Sequence, residues 1–111
     1  MLMKELKEKK RISSRLYNYL GFSFRNTQNN LKVYYAMLCE RGLFETLSFD
    51  EKNEIKLAYI DKMNQQYANT SLEEVLKELK VSEPEDIIQF RGLGKKCVSE
   101  LKALIERDRN E

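Results

Sequence analysis

A short stretch near the C-terminus, from Gly92 to Lys96, combines groups that can bind an anion. Gly92 and Gly94 flank Leu93, and their missing side chains permit positive φ angles and let another backbone approach closely. A helix that begins directly after them presents unpaired backbone amides and the positive end of its dipole, and Lys95 and Lys96 stand beside those amides. The stretch therefore predicts a phosphate-binding turn. The alternative is a tight structural connection or a protein interface.

The residues on both sides of this turn have the apolar spacing of a helix-hairpin-helix motif, h-h-x-h-x-G-h-G followed by a helix. The apolar positions are Ile87, Ile88, Phe90, Val98 and Leu101. In such a motif Leu93 anchors the turn in the core, and the exposed amides contact the phosphates of a nucleic-acid backbone. Contacts of this kind position a duplex without reading its sequence.

The composition argues against catalysis. The chain of 111 residues is long enough for one small domain, with 41% hydrophobic and 34% charged residues. It contains no histidine, which removes the commonest general base and every zinc site that uses histidine. Cys39 and Cys97 are far apart and are expected to be free thiols. We therefore expect no enzymatic activity, no metal and no cofactor.

Positive charge is concentrated at both ends of the chain, although the net charge is only +2. Residues 1–20 contain six basic and two acidic residues, and residues 91–111 contain six basic and four acidic ones. Residues 48–90 contain five basic and ten acidic residues. A polyanionic partner is therefore expected to meet the termini. Because no apolar run suits a signal peptide or a membrane span, we expect a cytoplasmic protein without a membrane partner.

Helical periodicity and the low content of glycine and proline predict an all-α fold, a compact bundle of five to six helices. The first helix is expected over residues 2–20, with Arg15 in a basic stripe opposite the apolar side. Gly21 is expected to end this helix, and Asn26 or Thr27 to cap the next one.

Further helices follow from apolar spacing and capping signals. The second helix is expected to place four side chains inward and to end at a glycine, namely Leu31, Tyr34, Tyr35, Leu38 and Gly42. Three S-x-x-E patterns predict capping boxes that begin three more helices, at Ser48, Ser71 and Ser82. The last helix is expected over residues 95–107. The tyrosines mostly occupy positions compatible with a core, so packing is favoured over a stacking platform for single strands.

Two blocks of the sequence resemble the C-terminal domain of the bacterial RNA polymerase alpha subunit. "EDIIQFRGLGKKCVSELKALI" is similar to the end of that domain, and "ISSRLYNYLGF" is similar to its first helix. "NTSLEEVLKEL" resembles a further family helix, whereas residues 21–68 form an insertion. We accordingly divide the single helical domain, 1–111, into a basic first helix (1–20), inserted helices (21–68) and a helix-hairpin-helix region (69–111).

The resemblance implies a DNA-binding module for transcription regulation that grips the minor groove of double-stranded DNA. It implies a transcription factor or RNA polymerase as further partners. It assigns DNA contacts to Arg15, Asn18, Gly94, Lys96 and Cys97, to which the turn itself adds Gly92 and Lys95. Cys97 stands where the family has serine, and Gly92 stands where it often has asparagine. Glu100 falls on a family glutamate associated with protein contacts or with a position next to the DNA. The alternative function is a protein-protein interaction adaptor that uses the same helices without binding DNA.

Overall fold

The computed structural model describes residues 1–40, 46–90 and 92–110, and of residues 108–110 only the backbone. These residues form six α-helices and one 3₁₀ helix without any strand, which confirms the all-helical class. The helices are α1 (Met3–Glu8), α2 (Ser14–Arg25), α3 (Gln28–Glu40), α4 (Phe49–Ala68), α5 (Leu72–Glu78), the 3₁₀ helix (Pro84–Gln89) and α6 (Lys95–Asn110).

The N-terminal region contains two helices, so the prediction of one helix over residues 2–20 is wrong. Lys10 has a positive φ of 54°, and the amide of Arg11 donates to the carbonyl of Leu6 at 2.9 Å. This geometry is a Schellman ending, which usually has glycine at the left-handed position. Ser13 then caps α2 by accepting a hydrogen bond from the amide of Leu16 at 3.2 Å.

Gly21 does not end the helix that contains it, because α2 continues to Arg25. Gly21 is buried against the ring of Tyr67, where a Cβ atom would lie 2.9 Å from Cε2 of that ring. The glycine is therefore used for close helix packing. The predicted cap at Thr27 is confirmed, since its hydroxyl accepts a bond from the amide of Asn30 at 3.4 Å. The predicted helix end at Gly42 lies outside the described residues.

Two of the three predicted serine caps are present. The capping box is complete at Ser48, where Glu51 also accepts a hydrogen bond from the amide of Ser48 at 3.4 Å, whereas at Ser71 the serine half of the predicted box is formed. Ser48 and Ser71 each accept a hydrogen bond from the backbone amide three residues further on, at 3.2 Å, and they begin α4 and α5. The third prediction is wrong, because the carboxylate of Asp86 accepts bonds from the amides of Ser82 and Glu83, at 3.1 and 3.0 Å. The helix that follows Glu83 is a 3₁₀ helix.

The buried side chains form two separate clusters. The main core is built from α1, α2, α5, α6, the 3₁₀ helix and the end of α4, and its fully buried members include Met3, Leu16, Leu20, Val75, Ile87 and Leu101. A smaller cluster of Leu38, Leu47 and Ile55 lies between α3 and α4. The predicted inward position of Tyr35 is wrong, because its side chain is 59% exposed.

The α3–α4 hairpin gives the molecule an elongated shape. Its extents are 52 × 26 × 19 Å, and its radius of gyration is 15.9 Å. A compact domain of this length would have a radius of gyration of about 13 Å. The molecule is therefore a helical body with a projecting arm. Within the single domain, the boundary drawn after residue 20 between the first helix and the inserted helices falls inside α2.

Candidate functional site

The turn between the 3₁₀ helix and α6 is anchored from inside by Leu93. The Leu93 side chain is 5% exposed and belongs to the main core. Its amide donates a long hydrogen bond to the carbonyl of Phe90, with 3.4 Å between the nitrogen and the oxygen. Leu93 thus holds the turn in place as the sequence predicts, and the residues on either side remain at the surface.

Gly92 is required by its backbone conformation and by its neighbour. Its φ is +83°, a region that side-chain-bearing residues rarely adopt. A Cβ atom there would lie 2.4 Å from Cε1 of Tyr19, so the ring occupies the space that any side chain would need. Tyr19 was expected to be an ordinary core residue. Its place one helical turn after Arg15 is the sequence signal that could have assigned it to this surface.

Arg15 joins α2 to the turn across 77 positions of sequence. Its Nε donates a hydrogen bond to the carbonyl oxygen of Gly92 at 2.9 Å. Its guanidinium carbon lies 5.8 Å from the centroid of the Tyr19 ring, a cation–aromatic contact. The side chain is nevertheless exposed. Arg15, Tyr19 and Gly92 therefore share one surface.

The first turn of α6 is open and positively charged. Gly94 is exposed, and among the described atoms none lies within 4 Å of the position that its Cβ would occupy. Its carbonyl accepts a hydrogen bond from the amide of Val98 at 3.1 Å, so Gly94 is the N-cap residue. Lys95 and Lys96 are exposed. The amides of the first turn lack intrahelical acceptors, and a glycine cap supplies no side-chain oxygen for them.

This helix start differs from those of α4 and α5. Each of those begins with a serine cap and carries two acidic residues in its first turn, which complement the helix dipole. The first turn of α6, all of which is described, contains no acidic residue and has lysines instead. An external anion would supply the negative charge that this helix start lacks.

Cys97 does not contribute its side chain to the surface. The residue is 5% exposed and packs in the main core, so its thiol is not accessible to a ligand at this surface. Its backbone amide still belongs to the first turn of α6. The position of Cys97, four residues before Leu101 and seven before Leu104, places it on the apolar stripe of the helix. That spacing could have indicated its burial.

Glu100 fixes the start of α2 against α6. One carboxylate oxygen accepts a hydrogen bond from the amide of Ser13 at 2.7 Å, and the other accepts one from the Ser13 hydroxyl at 2.6 Å. Ser13 caps the helix on which Arg15 lies two residues further on. The paired bonds therefore set the position of Arg15 relative to the turn.

A second link joins α6 to the 3₁₀ helix. Nζ of Lys102 lies 2.6 Å from a carboxylate oxygen of Glu85. This hydrogen bond lowers the pKa of Glu85 and raises the pKa of Lys102. Both side chains are half exposed, so solvent weakens the pair and its effect on stability is small.

Other classes of site find no support in the part of the chain that the structure describes. No group of three or more metal-ligating side chains comes together there. No helix within it combines the length and the apolar character needed to cross a bilayer. Asn18, the remaining predicted residue, is exposed and lines an open groove of about 500 Å³ beside Tyr19.

The chain matches no protein-family model, and neither a curated protein nor a solved structure shows significant similarity to it. The resemblance to the alpha-subunit domain therefore rests on the quoted stretches of sequence alone. Arg15, the turn and the start of α6 are the features of the structure that bear on function.

Proposed function

We propose that this protein is a non-enzymatic DNA-binding module that grips the duplex backbone and minor groove, in transcription regulation. The observation that carries the proposal is the shared surface of Arg15, the Gly92 turn and the open start of α6. In this proposal the turn is a helix-hairpin-helix turn.

The start of α6 suits a phosphate group. Several backbone amides without acceptors, the positive end of a sixteen-residue helix and two exposed lysines act on the same region. A phosphate oxygen bound there accepts hydrogen bonds from these amides in place of water, because no side chain accepts from them. Because such contacts address only the backbone, they position the duplex without specifying its sequence.

Arg15 supplies a second contact near the first. Its Nε is bonded to Gly92, which orients the guanidinium group and leaves the two Nη groups, with four N–H donors, for a ligand. An arginine held in this way suits a narrow, electronegative minor groove of AT-rich DNA. The resemblance to the alpha-subunit domain supports this geometry and extends the proposal to a transcription factor or RNA polymerase as protein partner.

Fluorescence anisotropy with a labelled AT-rich duplex tests the proposal. We expect the logarithm of the binding constant to fall linearly with the logarithm of salt concentration, with a slope of about −0.9 per phosphate contacted. Lys96→Ala should weaken binding and reduce the magnitude of that slope by about one. Arg15→Ala should also weaken binding. Lys56→Ala is the matched control, because Lys56 is an exposed lysine on α4.

Circular dichroism of each variant separates a binding defect from misfolding. If Arg15→Ala and Lys96→Ala bind the duplex as well as Lys56→Ala does, DNA binding through this surface is refuted. Unchanged amide NMR shifts of residues 92–96 on titration with the duplex at low salt would refute it independently.

A protein adaptor is the second candidate, and the exposed apolar side chains of the α3–α4 hairpin favour it. Phe49 is 83% exposed, Tyr35 is 59% exposed and Leu57 is 58% exposed. Single exposed apolar residues are ordinary on protein surfaces, so this observation is weaker than the geometry of the turn. Shifts confined to the hairpin on addition of RNA polymerase, with residues 92–96 unaffected by DNA, would favour the adaptor.

A further inference from the structure

An open groove of about 500 Å³ runs beside the turn, along α2. Its lining combines cations, aromatic rings and amides, and the residues that matter here are Lys7, Tyr17, Asn18, Tyr19, Phe22 and Arg25. Among the lining residues, all of them described, none carries a carboxylate. A groove with this lining suits a ligand that has both an anionic group and a flat apolar face.

The cations of the groove lie on its aromatic rings. Nζ of Lys7 is 4.8 Å from the centroid of Tyr17, and the guanidinium carbon of Arg25 is 5.7 Å from that of Phe22. Contacts of this type hold a long cationic side chain over one part of the surface. Nη1 of Arg25 also donates to Oδ1 of Asn64 at 2.8 Å, which further restricts its position.

The groove is continuous with the turn through α2. Tyr19 lines the groove and also contacts Arg15 and the Gly92 turn. Arg15 and Arg25 are ten residues apart on one helix, a separation of about 15 Å along its axis. A strand that keeps the stacked spacing of a duplex advances about 3.4 Å per nucleotide, so roughly four stacked nucleotides span the same distance.

We infer that this groove binds an unpaired strand that continues from the duplex held at the turn. Phosphates lie against Lys7 and Arg25, and a base stacks on the part of the Phe22 ring that Arg25 leaves uncovered, since this side chain is 41% exposed. A paired base hides its faces in the duplex stack, whereas an unpaired base can offer a face to an aromatic ring or to an arginine. The inference rests on the proposed function for the duplex contact, and it assigns a junction between duplex and single strand as the preferred ligand.

Anisotropy with two labelled ligands tests the inference. One ligand is a blunt AT-rich duplex, and the other is the same duplex with a single-stranded extension of about four nucleotides. Since base stacking on an aromatic side chain contributes substantially per base, we expect the extension to tighten binding about tenfold. Phe22→Ala should abolish this gain and leave the affinity for the blunt duplex unchanged. Phe49→Ala, which removes an exposed phenylalanine near the far end of α4, is the control and should keep the gain.

The outcomes separate this inference from the proposed function. If the blunt duplex binds and the extension adds nothing, or if Phe22→Ala keeps the gain, the inference is overturned and the duplex proposal stands. If only the extension is bound, through Phe22, the groove assignment is supported and the duplex contact fails. Adenosine monophosphate, added as a competitor, distinguishes a strand from a free nucleotide as the ligand of the groove. If the extended duplex still binds more tightly than the blunt one in its presence, the strand is supported. If a low concentration of the competitor removes that difference, the strand is overturned.

Discussion

Replacement of Gly92 by alanine should destabilise the protein by about 2 kcal/mol. A left-handed conformation at φ +83° costs a residue with a side chain roughly 1–2 kcal/mol. The new Cβ would also lie 2.4 Å from Cε1 of Tyr19, so the ring must move. Moving the ring removes its contact with Arg15, which is worth roughly 0.5–1 kcal/mol at an exposed site. A loss of about 2 kcal/mol corresponds to a fall of roughly 9 °C in melting temperature for a chain of this length.

Gly94→Ala is the matched control for this prediction. Gly94 has an ordinary φ, and no described atom lies within 4 Å of the added methyl group. Alanine is a poorer N-cap than glycine, but it also reduces the entropy of the unfolded chain, so the two effects largely offset each other. The added methyl group should instead obstruct the approach of a phosphate to the amides of α6 and weaken duplex binding.

Urea denaturation followed by far-UV circular dichroism measures both free energies of unfolding, and anisotropy measures duplex affinity. We expect a stability defect in Gly92→Ala and a binding defect without a stability defect in Gly94→Ala. Equal stability of the two variants would show that neither the backbone angle nor the Tyr19 ring constrains the turn.

Two further substitutions test how the surface and the core are held. Glu100→Ala should lower the free energy of unfolding by about 1 kcal/mol, since it removes both hydrogen bonds to Ser13. It should also weaken duplex binding, although it removes a negative charge, because Arg15 loses its fixed position. Tighter binding in anisotropy would show that Glu100 acts only as a repulsive charge. Burial raises the pKa of Tyr67 above its usual value near 10. At high pH the folded protein therefore keeps the proton of the Tyr67 hydroxyl, whereas the unfolded chain releases it. The free energy of unfolding should therefore be retained below about pH 10 and fall as pH rises further, and urea denaturation of Tyr67→Phe should show a shallower fall by up to about 1.4 kcal/mol per pH unit. Parallel pH profiles would mean that Tyr67 does not contribute to the alkaline loss.

The fold class and most helices follow from the sequence, but the break after α1 and the end of α2 do not. Lys10 adopts a φ angle of 54° at a helix end where glycine is the usual signal, so the break after α1 has no marker in the residue types. Gly21 is the reverse case. Glycine typically ends a helix, but Gly21 lies inside α2, where the ring of Tyr67 packs so closely that it leaves no room for a side chain. In both cases tertiary packing decides between conformations that local preferences leave close in free energy.

The candidate site also combines residues that the sequence predicts with residues that it does not. The turn with its buried Leu93 could be predicted from local spacing, and Arg15 from the basic stripe and the resemblance. Glu100 could not be placed from spacing alone, because its role depends on a contact between α6 and the start of α2. The groove depends on side chains from α1, α2 and α4, and no local pattern brings those together.

Among the described residues of the α3–α4 hairpin, only the end of α4 takes part in the main core. Leu38 and Ile55 pack only in the smaller cluster, while the inner part of α4 contacts α2 through Tyr59 and Tyr67. Helical turns added or removed beyond Leu38 and Ile55 are therefore expected to leave Arg15, the Gly92 turn and the start of α6 in place. A change in the length of this arm and a change at the surface of Arg15 and Gly92 should thus be structurally independent of each other.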